Sequence, residues 1–245
     1  MAEARTRRRP EHRLGFGLVR GIYIALFLLF VLAPLYWVVI TSIKPTSDYL
    51  AIPPVWFPAE PTIVHYTAAL FAYRGLAGLI NSLVVASATT VLSAAFGTLM
   101  GYSLARFNTG GPHLSFWVLS QRFLPPIAIV LPVFLLYRGW GLYDTRIGLV
   151  LIYTMITLPL AVPGIVVAAV FAFIFVWTEF FFALNLTSRS AFTLPTIFRA
   201  FLGFQASQYG EASALAVTSL VPSIILGMLV QHHLVRGLTL GAVQG

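Results

Sequence analysis

The chain has 245 residues, 59% of them hydrophobic and only 9% charged, with a mean hydropathy of +0.90. Soluble globular domains carry roughly 25% charged residues, so this composition excludes an ordinary water-soluble fold and indicates a polytopic membrane protein. The net charge of +8 does not point to nucleic acid, because six of the fifteen basic residues (Arg5, Arg7, Arg8, Arg9, Arg13 and Arg20) precede the first apolar run, the arrangement that holds an N-terminus in the cytoplasm. The absence of cysteine removes disulfides, thiolate nucleophiles and cysteine metal ligands.

Residues 1–20 read as a basic cytoplasmic tail that fixes orientation. Residues 21–43 form a first span around Pro34. At 23 residues it exceeds the apolar core of a signal peptide, and no small-residue cleavage site follows it, so it is expected to stay as an anchor. Residues 44–75 carry Pro45, Pro53, Pro54, Pro58 and Pro61 with mixed charges (Lys44, Asp48, Glu60, Arg74), the composition of an ordered external loop. Residues 76–105 form a second span whose small side chains, from Ala86 to Gly101, let another helix approach closely. A turn at Asn108–Pro112 leads to a third span over 114–137. Here Pro125, Pro126 and Pro132 cannot continue a straight helix, since each removes a backbone donor and crowds the preceding turn. Broken backbone at membrane depth persists only inside protein or along a watery cavity, so this span is expected to line a path. Arg122, near its start, either faces that path or snorkels to the interface.

The forty residues 147–186 hold one charged side chain, Glu179. They make either two spans turning between Pro159 and Pro163, or one overlong kinked span. The first arm, 147–162, would reach about 24 Å against a hydrocarbon core of about 30 Å, and the local charges do not choose between the readings. Residues 187–210, with Arg189, Arg199 and Pro195, offer Ile197, Phe198, Phe201 and Leu202 for a short interfacial helix. Residues 212–234 form the last span, kinked at Pro222. Its adjacent His232 and His233 point about 100° apart on a helix and do not make a metal site. The expected fold is an all-α, polytopic transmembrane helical bundle of about six spans, or five if 147–186 crosses once, in a single domain over 21–245.

Several short strings, in this order, resemble one family. They are Ser42-Ile43-Lys44-Pro45, Asn81-Ser82-Leu83, Gly101-Tyr102-Ser103-Leu104-Ala105-Arg106-Phe107, Leu124-Pro125-Pro126 and Gly141-Leu142-Tyr143-Asp144-Thr145. They continue with Trp177-Thr178-Glu179-Phe180, Thr193-Leu194-Pro195 and the tail from Gly237 to Gly245. Together they resemble the membrane permease subunits of ABC-type carbohydrate importers, in particular the maltose-type second permease of a heterodimeric pair. The resemblance implies a bacterial inner-membrane subunit that forms half of a sugar pathway. Its implied partners are a second permease, two ATPase subunits, an extracytoplasmic sugar-binding protein, the sugar itself and membrane lipid.

The chain has no phosphate-cradling G-x-x-x-x-G-K-[ST] loop. ATP and magnesium are therefore expected in a partner ATPase, with no enzyme activity and no cofactor in this chain. Such permeases carry a cytoplasmic Glu-Ala-Ala…Gly helix pair between spans four and five that engages the ATPase. Here Leu158-Pro159-Leu160-Ala161 occurs once and joins the two spans directly, and Glu211-Ala212-Ser213 lies in the wrong place, so no coupling motif is found. The alternative functions are a permease remnant unable to couple and, beyond that, a proton-driven carrier or intramembrane enzyme.

Intramembrane ionisable groups are costly and are functional candidates by default, which selects Arg122 and Glu179. Glu179, beside Trp177 and Phe180, offers a sugar hydroxyl an acceptor next to an aromatic face, or it pairs with a partner subunit's cation. Asn81, Tyr102 and Gln121 are placed to hydrogen-bond either a polyol or another helix. The sequon Asn185-Leu186-Thr187 is taken as a chance match.

Overall fold

The computed structural model describes residues 11–160, 165–201 and 208–242. Regular structure among them is entirely helical. α1 spans Glu11–Ile43, so residues 11–20 of the basic tail continue the first span as helix. A short helix α2 (Val64–Thr67) closes the following loop, and α3 (Gly75–Phe107) returns through the bundle. α4 (Gly111–Ser120) and α5 (Pro126–Gly139) make the broken third passage. α6 (Arg146–Thr157) and α7 (Ile165–Thr178) are followed by α8 (Phe181–Leu186) and the single turn α9 (Leu194–Ile197), and α10 (Tyr209–Ala242) ends the described chain. Among the described residues three helices are long and apolar enough to cross a membrane, Gly17–Ile43, Gly75–Phe107 and Tyr209–Gln231. The other passages are assembled from shorter apolar pieces.

Hydrogen bonds gather one end of every passage at a single pole. Thr62 N–H donates to the Ile43 carbonyl at 2.8 Å, and the amide of Asn81, in the second turn of α3, donates to the carbonyls of Ser190 at 3.0 Å and Phe192 at 2.8 Å. Asp144 N–H donates to Leu186 O at 3.0 Å, and His65 of α2 meets Glu211 of α10 at 3.2 Å. The end of α1, the starts of α3, α6 and α10, and the ends of α5 and α8 therefore share this loop pole. α3 and α6 both run away from this pole, and α7 returns toward it. α6 and α7 thus make two passages, and the described residues hold six. The first arm is short: α6 and the 3-10 turn Leu158–Leu160 reach about 24 Å.

α3 is the central column, packed by α6, α7 and α9. Its Gly78 is required by closeness, because a Cβ there would lie 2.5 Å from the Ile197 side chain and 3.3 Å from the Leu194 backbone. That packing overturns one expectation. Ile197 and Phe201 are not interfacial but buried in the core with Leu194, since Gly78 gives Ile197 a notch and Phe201 packs on the Tyr73 ring at 4.8 Å. Leu202 lies outside the described residues.

The proline expectations divide. Leu124 (φ −67°, ψ 121°) and Pro125 (φ −65°, ψ 129°) are extended between the 3-10 turn Gln121–Phe123 and α5, and Pro126 opens α5 where a missing N–H costs nothing. Pro132 is not a break: α5 runs through it, because a helix inside a bundle tolerates one missing donor. Pro159 sits in the 3-10 turn that ends α6, and Pro163 lies outside the described residues.

Candidate functional site

The broken third passage and the hairpin enclose a cavity of about 290 Å³ lined by Gln121, Leu124, Pro126, Ile129, Ile156, Phe175, Glu179 and Phe182. Its size is at the small end of ligand cavities, about 300–1,000 Å³. The proline break makes the wall: where α4 stops and α5 has yet to begin, extended backbone leaves room that a continuous helix would fill. Most of the lining is apolar, and the two expected polar groups, Gln121 and Glu179, face the same space.

Glu179 lies between α7 and α8 and serves both. Its Oε1 accepts from Phe182 N–H at 3.0 Å and its Oε2 from Ala183 N–H at 3.3 Å, so the carboxylate caps the first turn of α8, where a negative charge also meets the helix dipole. Oε2 further accepts from the Tyr153 hydroxyl across the hairpin at 2.5 Å, and Tyr153 is fully buried. The carboxylate is thus held by three donors of its own chain, with one edge still on the cavity. Gln121 is free to turn its carbonyl to the cavity, since its Nε2 donates to Trp117 O at 3.3 Å.

The other candidates lie elsewhere. Trp177 is in the last turn of α7, whereas Glu179 lies beyond that helix's end at Thr178, and the two side chains line different cavities. Trp177 donates from its Nε1 to Ser219 O at 3.2 Å, and with Phe198 and Arg199 it lines a separate cavity of about 460 Å³. Tyr102 is 60% exposed near the far pole, edge-on to Phe107. Arg122 belongs to the 3-10 turn beside Gln121, and its side chain lies outside the described residues. No group of three metal-ligating side chains occurs among the described residues.

Asn81 does not line the cavity but builds the clamp above it. Besides its two bonds to the 190–192 backbone, its Oδ1 accepts from Arg146 Nε at 2.7 Å. Sequence reasoning missed the centre of this clamp, Asp144. Its carboxylate accepts from the backbone N–H groups of Ser188, Arg189, Ser190 and Ala191 at 2.9–3.1 Å. Burial raises the Asp144 pKa, but the four backbone hydrogen bonds together outweigh it and hold the group below its ordinary value. The signal was present in the motif Gly141-Leu142-Tyr143-Asp144-Thr145, a carboxylate in a glycine-led loop, although its partners stand more than forty residues away. The clamp makes a direct prediction. Asn81→Ala leaves a guanidinium and two backbone carbonyls short of a partner at a position only 2% exposed, and should lower stability by about 2–3 kcal/mol in detergent thermal denaturation.

No family model matches the chain. It is 30% identical to the trehalose transport system permease protein SugB of Mycobacterium tuberculosis, covering 88% of this chain and 93% of that one. It is 33% identical to the probable ABC transporter permease protein y4oR of Sinorhizobium fredii, covering 87% and 90%. With the inner membrane ABC transporter permease protein YcjP of Escherichia coli it shares 26% identity over 98% and 99% of the two chains. That last alignment runs to 286 positions against 245 residues here, so the relative carries residues that have no counterpart in this chain. The fold matches a crystal structure of a bacterial ABC transporter involved in the import of the acidic polysaccharide alginate, with a TM-score of 0.70 at 19% identity, over 92% of this chain and 98% of that one. A helical bundle of six passages, broken at paired prolines beside an intramembrane carboxylate, therefore meets relatives that align almost end to end: the chain belongs to the family of permease subunits of sugar ABC transporters.

Proposed function

We propose that this permease forms one half of the pathway of an ATP-driven importer for a sugar or oligosaccharide, in a bacterial plasma membrane with its N-terminus in the cytoplasm. A second permease supplies the other half, an extracytoplasmic binding protein delivers the sugar, and two ATPase subunits bind ATP with magnesium and hydrolyse it. This chain contributes no cofactor and no catalytic group. The observation that carries the reading, beside family membership, is the cavity at the Pro125–Pro126 break. Phe175 and Phe182 give it apolar walls, and Glu179 and Gln121 give it hydrogen-bonding groups, the combination that a polyol with apolar ring faces requires. Six apolar passages supply the membrane and the break supplies the opening.

One observation favours a second reading, a permease that no longer couples. The chain passes from the 3-10 turn Leu158–Leu160 to α7 at Ile165 with only residues 161–164 between them, which leaves no room for a helix pair that an ATPase could grip. The test is purification of the tagged chain from its host's membranes in mild detergent. Stoichiometric recovery of an ATPase and a second permease establishes the importer and places the ATPase contact elsewhere on the chain. Recovery of neither, with recovery restored by inserting a relative's coupling loop after Ala161, establishes the non-coupling reading.

A further inference from the structure

α1 ends at the loop pole beside Lys44, the single lysine of the chain. Its side chain is 2% exposed, and its Nζ lies 3.9 Å from the centre of the Trp37 ring. No described lysine or arginine reaches a described carboxylate within 4.0 Å, and Asp48 acts on Lys44 only from farther off. A desolvated cation without a counter-ion is costly. The cation is not sealed in, because it lines a cavity of about 300 Å³ together with Trp37, Thr41, Tyr49, Tyr209 and Ser213. The phenol of Tyr49 is pushed up to about 12 by burial and by the nearby Glu211 charge, and its hydroxyl, 2.9 Å from His65 Nε2, fixes the cavity wall.

The surroundings are those of a membrane interface. α1 exposes apolar side chains from Leu18 to Val39, and the adjoining loop exposes Leu50, Trp56, Phe57 and Ile52, the last at 95%. Tyr36 donates to the Trp56 carbonyl at 2.6 Å, and Trp37 and Trp56 meet edge to face at 5.6 Å. Aromatic residues of this kind sit at headgroup depth, and a loop tip of four large apolar side chains is at ease in lipid and not in water.

We propose that this cavity seats the phosphate of a phospholipid headgroup, with Lys44 as its counter-ion and the Thr41 and Ser213 hydroxyls as donors to its oxygens. The inference needs only the membrane position of α1 and stands apart from the importer reading. It gives the permease a bound lipid beside the His65–Glu211 contact that ties α2 to α10.

Because Lys44 and the N-terminus are the only amines, reductive methylation read by peptide mass spectrometry reports Lys44 directly in the unaltered chain. In dodecylmaltoside, added phosphatidylglycerol should slow Lys44 modification about tenfold, whereas phosphate-free diglucosyldiacylglycerol and inorganic phosphate should not. Native mass spectrometry should find a retained phospholipid on the wild-type and Lys44→Arg chains and none above background on Lys44→Met. Four outcomes overturn the proposal. They are equal rates in all three additives, equal protection by inorganic phosphate, protection only when the second permease is added, and equal lipid retention by Lys44→Met. The labelling arm decides even if Lys44→Met fails to fold.

Discussion

Asp144→Ala is expected to lower the stability of the detergent-solubilised chain by about 2–4 kcal/mol, because it strands the four N–H groups that one carboxylate now satisfies. Asp144 is partly exposed, so water recovers some of the loss and the estimate stays below a sum over four charged hydrogen bonds. Asp144→Asn should fall between, since an amide has one acceptor oxygen where the carboxylate has two. The pH dependence follows from the direction of the shift. The folded pKa lies below the ordinary 3.8, so the native state holds its proton less tightly than the unfolded chain does. The stabilisation is complete above about pH 5 and is lost as pH falls below about 4 through the folded value. Thermal midpoints followed by tryptophan fluorescence should decline over that interval for wild type and decline less for Asp144→Ala. Parallel curves would remove Asp144 from the account.

Glu179→Ala should cost more, about 3–5 kcal/mol, because the Tyr153 hydroxyl is left buried without an acceptor and α8 loses its cap. Tyr153→Phe removes only one of the bonds to the carboxylate and should cost about 1 kcal/mol. The double variant should fall short of the sum of the singles, the signature of a direct contact. Glu179→Gln separates architecture from transport. Its amide oxygen still accepts, so the fold should survive, but a charged acceptor is lost from the cavity wall. At matched membrane levels, uptake by the assembled importer should fall about tenfold or more, the loss of one charge-assisted hydrogen bond to a sugar hydroxyl. Unchanged uptake would leave Glu179 as a helix cap alone.

The passages were legible where local chemistry decided them. Long apolar runs marked α1, α3 and α10, and the adjacent Pro125 and Pro126 marked the break. Parity of the 147–186 stretch was not legible, because two passages and one kinked passage share the same composition. The choice rests on Asp144 reaching the 188–191 backbone, a long-range event without a local signal. Glu179 could be found by its charge, whereas Tyr153 could not, since nothing in a run of apolar residues announces which tyrosine will stand opposite on the returning arm. Trp177 and Glu179 line different cavities because α7 ends at Thr178 between them, a helix end that the apolar run does not announce. The sequence leaves Asn81 open between a polyol and another helix, because a polar group in a span can serve either, and only the fold shows that its partners are the 190–192 backbone and Arg146. In the sequence Lys44 is one of the mixed charges of an external loop; its burial depends on α10, whose Tyr209 and Ser213 line the same cavity.

Ser93 of α3 and Thr157 at the end of α6 share a hydrogen bond at 2.6 Å, which fixes how deep the hairpin goes. α3 continues from there for fourteen more residues to Phe107, about 20 Å of helix, with Phe96, Leu99 and Tyr102 exposed along it. The protein is therefore tall on one flank and short on the other. Lipid must meet both heights around a single circumference, thinning its leaflet beside the hairpin while remaining thick beside α1 and α3. A bilayer of graded thickness follows the molecule wherever it goes, and acyl-chain length becomes a variable that its stability feels from one side only.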